Sequence, residues 1–249
     1  MRQLPLGISL RVSARFSSFL AGPNQAAVDA LQTLAHAVRE PPLWICGPPG
    51  AGKTHLLQAT CAAIGSAGGR ALYLPLAQRD RFATGMLEGA EELDALLLDD
   101  LDNVAGQPDW EHALFVAYHE LQESGGRLVV AAAEAPSLIP WRLPDLRSRL
   151  NASTLHVLRP LPEELHAEAL LARSRELGLE LAQEPLAYLL RHGPRSFASL
   201  CDLLDVIDRD ALAGQRRVTV PLVRQVLGHD PDGARAAEPP RPPPGPGSS

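Results

Sequence analysis

Apolar positions along the chain gather into five short runs: Leu43–Cys46, Ala71–Leu74, Ala95–Leu98, Leu128–Ala132 and Thr154–Leu158. Each has the length of a buried strand rather than of a helix. Longer segments of helical character separate them, notably Asp109–Glu123. Ahead of the first run, Asn24–Val38 places apolar residues on one helical face, with Asn24 at the N-cap position. Strands alternating with helices predict an α/β fold, a parallel five-stranded sheet with helices on both faces. After Arg159-Pro160-Leu161-Pro162 the pattern is helical only, over Glu163–Glu176, Pro185–Arg191, Ser196–Ala213 and Pro221–Leu227. The expected organisation is an extended arm (1–14), an α/β domain (15–158), a small helical domain (159–228) and a disordered tail (229–249). The tail contains Pro-Pro-Arg-Pro-Pro-Pro and little that could build a core.

The loop after the first strand carries the chemistry. Gly47-Pro48-Pro49-Gly50-Ala51-Gly52-Lys53-Thr54 fits G-x-x-x-x-G-K-[ST] at every fixed position, and the helix that follows opens with His55. Glycines let backbone N–H groups turn inward around phosphate oxygens, and the helix N-terminus adds partial positive charge. Lys53 is expected at the β and γ phosphates, and the Thr54 hydroxyl on Mg²⁺. Leu96-Leu97-Leu98-Asp99-Asp100 ends a strand in paired carboxylates, where a parallel sheet delivers residues to its ligand crevice. Asp99 is the expected Mg²⁺ acid, and Asp100 the group that orients water.

Composition narrows the reading. The chain has 249 residues, 45% of them hydrophobic, and a formal net charge of −6, so it has no overall basic field for gripping nucleic acid. Cys46, Cys61 and Cys201 show neither zinc spacing nor a disulfide framework; they read as buried small hydrophobes in a reducing, cytoplasmic setting. No apolar run approaches a membrane span, and the N-terminus lacks a signal-peptide core.

The phosphate loop, an extra strand before the carboxylates and a C-terminal helical lid resemble an AAA+ ATPase. Gly52-Lys53-Thr54-His55-Leu56, Leu98-Asp99-Asp100 and Leu146-Arg147-Ser148-Arg149-Leu150 resemble the replication initiator DnaA more than other branches. Full-length DnaA adds a basic helix-turn-helix domain, which this chain is expected to lack. Over roughly residues 3 to 227 it is therefore similar to the Hda family, short DnaA homologues that switch DnaA off. Arg2-Gln3-Leu4-Pro5-Leu6 resembles the peptide with which that family docks on the β sliding clamp, with Gln3, Leu4 and Leu6 as anchors.

The resemblance implies ADP or ATP with Mg²⁺ as ligands, and DnaA and the β clamp as partners, with DNA reached only through the clamp. It implies that Arg149 is an arginine finger acting in trans on ATP held by DnaA. Homo-oligomers are left open. Three departures bear on catalysis by the chain itself. Glu134 stands where the family has Asp as sensor I. Ala198 stands where the sensor II arginine opens a lid helix, with Arg195 a turn earlier as a substitute. Asp100 replaces the Glu of most AAA+ enzymes. Weak intrinsic hydrolysis is expected. A helicase loader of the DnaC kind with its own ATPase, and a DNA-binding initiator paralogue, remain as rivals.

His112 and His119 could share one helical face but lack a third metal ligand. Trp44, Trp110 and Trp141 read as packing residues. Arg173, Arg175, Arg216 and Arg217 read equally as a local basic face or as solvated helix ends.

Overall fold

A computed structural model describes residues 14–36, 41–214 and 217–228. Gln3, Leu4 and Leu6, the proline-rich tail, Arg216 and the end of the first predicted helix lie outside them.

The chain runs α1 (Gln25–His36), β1 (Leu43–Cys46), α2 (Lys53–Ser66), β2 (Ala71–Pro75), β3 (Ala95–Asp99), α3 (Pro108–Ser124), β4 (Arg127–Ala132), α4 (Pro144–Asn151) and β5 (Thr154–Val157). The strands form one sheet in the order β2-β3-β4-β1-β5, every pair parallel. All five lie within a residue or so of the apolar runs. The β2–β3 connection departs from the expected helix: it is made of short 3₁₀ turns, Leu76–Arg81, Thr84–Leu87 and Ala90–Glu92.

Alternation along the strands divides two cores. Trp44, Leu72, Leu74, Leu96, Leu98, Leu128 and Val130 pack with α3 and α4 on one face. Ile45, Tyr73, Leu97, Val129 and Ala131 pack with α1 and α2 on the other. Continuous apolar strands are thus consumed by two helical layers. The three tryptophans are core residues, and Trp44 is fully buried.

Two polar side chains tie the layers together. Arg127 donates to the carbonyls of Leu34 and Ala35 at 3.0 and 2.9 Å, closing the C-terminal end of α1. Asn24 does not cap α1. It sits at the end of a 3₁₀ turn, donates to Arg159 O at 2.9 Å and accepts from Arg159 N–H at 2.8 Å. This pair fastens the start of α1 to the chain just past β5, where the helical domain begins. That domain comprises α5 (His166–Glu176), α6 (Gln183–His192), α7 (Phe197–Gly214) and α8 (Val220–Gly228) around its own leucine-rich core. Among the described residues, no helix is long and apolar enough to cross a membrane.

Candidate functional site

The loop from Gly47 to Gly52 links β1, an interior strand between β4 and β5, to α2, at the C-terminal edge of the sheet. Its ends demand glycine. At Gly47 φ is +150°, and a Cβ would sit 2.5 Å from Leu158 O. At Gly52 φ is +94°, and a Cβ would collide with the Phe19 ring. Gly52 caps α2 without a side-chain acceptor, and the first turn of α2 carries no acid. The start of a helix whose N–H groups have no intrahelical acceptor suits an anion. Lys53 Nζ donates to the carbonyls of Gly47 and Pro48 at 2.7 and 3.2 Å, which keeps the ammonium inside the loop.

His55 ties the loop to the segment ahead of α1. Its Nε2 lies 3.0 Å from Arg15 O and 3.3 Å from Ser18 Oγ, and its ring packs on Phe19 at 5.6 Å between centroids.

Asp99 ends β3 beside the loop and is 1% exposed. Tyr73 on β2 donates its hydroxyl to Asp99 Oδ2 at 2.8 Å, while Oδ1 is buried without a hydrogen-bond partner. Burial raises the Asp99 pKa. The hydroxyls of Thr54 and Tyr73, the Asp100 backbone and the Lys53 ammonium oppose that rise. Asp100 adopts the left-handed conformation at φ +53°, alone among the described non-glycine residues. Such strain is typical of functional sites. Burial first, then Asp99 and Asp102, raise its pKa, against the pull of Lys53. An unpaired carboxylate oxygen, a hydroxyl and a second carboxylate together suit a hard, oxygen-seeking cation such as Mg²⁺.

A cavity of about 370 Å³ opens from the loop toward the helical domain. Residues 49–55 and Asp100 line one side; Phe19 and Leu161 close another; Ala169, Arg173, Phe197 and Ala198 face them from the lid. Glu176 and Asp202 of the lid also line it, and its size and mixture of apolar walls with a few polar groups suit a small organic molecule.

The other predicted residues fall in different places. Glu134 lies just past β4, its backbone oxygen accepting from Trp44 Nε1 at 3.0 Å. Burial and then the charge of Glu134 raise the Cys46 pKa, which puts Glu134 near the end of β1. Arg149 lies on the exposed side of α4, away from the cavity, with its guanidinium 5.8 and 5.6 Å from the Phe115 and Tyr118 rings of α3. Arg195 is exposed and does not line the cavity. Ala198 does, close against Gly50.

The lid cation in the cavity is Arg173, which by sequence reads equally as part of a local basic face or as a solvated helix end. Its Nη2 donates to both carboxylate oxygens of Asp205 on α7, at 2.7 and 2.8 Å. Only the α5–α7 packing reveals it. Cys201 is likewise half-buried and lines the cavity, whereas Cys46 and Cys61 are core residues. No metal-binding cluster of His, Cys, Asp and Glu occurs among the described residues; His119 packs edge-on against Phe115 at 4.7 Å.

A phosphate-type loop after the interior strand β1 of this parallel sheet, paired carboxylates on β3 two places away, and a helical lid over the cleft define an AAA+ module. The model of the bacterial DnaA ATPase domain matches residues 10–156, and that of the Hda lid domain matches residues 163–227. The chain belongs to the DnaA-related AAA+ family, with a lid of the Hda type. Solved structures agree on the fold. Domain III of the Thermotoga maritima initiator DnaA is 24% identical over 89% of this chain and 98% of that one, with a TM-score of 0.74. AMPPCP-bound DnaA from Aquifex aeolicus is 20% identical over 92% and 71%, with a TM-score of 0.66. The Thermotoga maritima RuvB branch migration motor is 14% identical over 82% and 68%, with a TM-score of 0.58.

Proposed function

We propose that this protein is an Hda-type regulator that binds ADP or ATP with Mg²⁺, docks on the β sliding clamp and stimulates hydrolysis of ATP held by DnaA. The observation that carries the reading is the separation of two parts. The cleft with its loop suits a nucleotide, while Arg149 stands exposed on α4 outside that cleft. An arginine that cannot serve its own chain's site is suited to serve a neighbour's.

In this reading the loop N–H groups and Lys53 hold the phosphates. Thr54 and Asp99 would hold Mg²⁺, which would supply positive charge against the phosphates. Phe19 and the lid enclose the nucleoside end. Asp100 is aimed at attacking water, but its stem is short, and no arginine stands at Ala198; both favour a holding role over rapid turnover. Glu134 would face the γ-phosphate side from the end of β4. Arg149 would enter the site of DnaA and stabilise charge on its γ-phosphate. AMPPCP in the Aquifex aeolicus relative supports an adenine nucleotide. Gln3, Leu4 and Leu6 would anchor the arm in the clamp, as in extended-peptide docking.

The test is hydrolysis of DnaA-bound ATP with this protein, with and without DNA-loaded clamp. Stimulation that needs the clamp, and is lost when Gln3, Leu4 and Leu6 are all replaced by Ala, supports the reading. Turnover by this protein alone, indifferent to DnaA and clamp, would favour an autonomous ATPase. Tight, salt-sensitive duplex binding without clamp would favour an initiator paralogue.

A further inference from the structure

Behind the loop, three buried polar side chains form a short hydrogen-bonded series. Gln58 lies on α2, Tyr73 on β2 and Asp99 at the end of β3. Their exposures are 6%, 5% and 1%. The Tyr73 hydroxyl donates to Asp99 Oδ2 at 2.8 Å, and Gln58 Nε2 donates to the Tyr73 oxygen at 3.4 Å. Packing alone does not explain a phenol at position 73, because a hydroxyl carried into a core costs energy unless it is paired. Here it is paired with one carboxylate oxygen only. The other, Asp99 Oδ1, is buried and has no partner. Gln58 Oε1 is buried without a partner as well, but Asp99 Oδ1 belongs to a carboxylate that also interacts with the Thr54 hydroxyl beside the loop, and that combination is open to a cation.

We propose that Tyr73, supported by Gln58, is a positioning residue for the metal. By occupying Oδ2 it fixes the carboxylate plane and leaves Oδ1 as the oxygen offered to Mg²⁺ beside Thr54. This rests on the nucleotide–Mg²⁺ reading of the site. The direction of each bond supports it. The phenol can donate to Asp99 because its own oxygen accepts from Gln58, so the series runs one way toward the carboxylate. Both donors are neutral, so the negative charge of Asp99 remains available to the cation. A partner on the far side of a metal ligand commonly sets metal affinity by 10- to 100-fold.

The test is ADP affinity titrated with Mg²⁺ and repeated in EDTA, on the full chain. Tyr73→Phe keeps the ring and removes the hydroxyl. The Mg²⁺ concentration that half-maximally tightens ADP binding should rise by about tenfold or more, with ADP affinity in EDTA unchanged. Gln58→Met should shift the midpoint in the same direction by a smaller factor, and carries the test if Tyr73→Phe does not fold. Mn²⁺ with ADP, followed by electron paramagnetic resonance, should show the same loss. A parental Mg²⁺ midpoint in the tyrosine variant, or an equal loss of ADP affinity with and without Mg²⁺, overturns the proposal. Asp99→Asn separates the two levels. It should abolish the Mg²⁺ dependence; if it leaves that dependence at the parental value, the metal site itself is misassigned and the role of Tyr73 falls with it.

Discussion

Gly52→Ala tests how the N-terminal segment is locked to the phosphate loop. The perturbation has two parts. A side chain at φ +94° enters the left-handed region, at a cost of about 1–2 kcal/mol. The added methyl also collides with Phe19, running into Cε2 and coming to 3.1 Å from Cζ. Crowding of that kind costs about 1–3 kcal/mol when the neighbour can give way, and Phe19 is only half-buried. Gly52→Ala should therefore destabilise the protein by about 2–5 kcal/mol. In a Phe19→Ala background the collision disappears and only the backbone part, about 1–2 kcal/mol, remains. Urea denaturation of the parent, both single variants and the double variant yields the coupling energy directly. It should be about 1–3 kcal/mol, with the double variant more stable than the two single losses predict. Additivity within about 0.5 kcal/mol would refute the claimed contact between Phe19 and the loop.

Three further outcomes follow from the site and its supports. Lys53→Ala removes a cation held inside the loop, and ADP affinity by calorimetry should fall at least about tenfold, since a charge-assisted contact contributes about 1.5–3 kcal/mol. Asp99 has its pKa raised above the ordinary 3.8 by burial. Its contribution to stability is therefore full below the unfolded value and lost as pH rises through the folded one. Without nucleotide or Mg²⁺, Asp99→Asn should gain melting temperature relative to the parent between about pH 4 and pH 7, and a relative loss over that range would contradict the burial argument. Glu111, 1% exposed, accepts from the backbone N–H groups of Gly106, Arg142 and Leu143 at 2.6, 2.9 and 2.7 Å. Glu111→Gln turns an amide against those donors and should cost about 2–4 kcal/mol in urea denaturation.

The sheet was legible because β1 to β4 are buried between two helical layers and read as nearly unbroken apolar runs, whereas the edge strand β5 is largely exposed and carries Thr154 and His156. The loop was legible because its glycines, lysine and threonine are constrained at fixed spacing. What escaped depends on contacts between distant segments. Asn24 looks like a helix cap by local rules, yet its side chain spans to Arg159. Arg173 looks solvated until α7 supplies Asp205. Tyr73 looks like an ordinary strand aromatic until β3 sets Asp99 beside its hydroxyl. The turns between β2 and β3 follow no single helical period, so spacing offered no signal there. Arg195, one helical turn before Ala198, is exposed and is not among the residues that line the cavity.

The central claim is that Arg149 acts on a neighbour's nucleotide. Arg149→Ala removes an exposed guanidinium that lies over the rings of Phe115 and Tyr118 on α3. Its own ADP affinity and clamp binding should stay at parental values. Single-turnover hydrolysis of ATP bound to DnaA, with DNA-loaded clamp present, is the direct measurement. Stimulation by the variant should fall by about 10³-fold or to the unstimulated rate. Stimulation at the parental rate would contradict that claim and shift the search to Arg147.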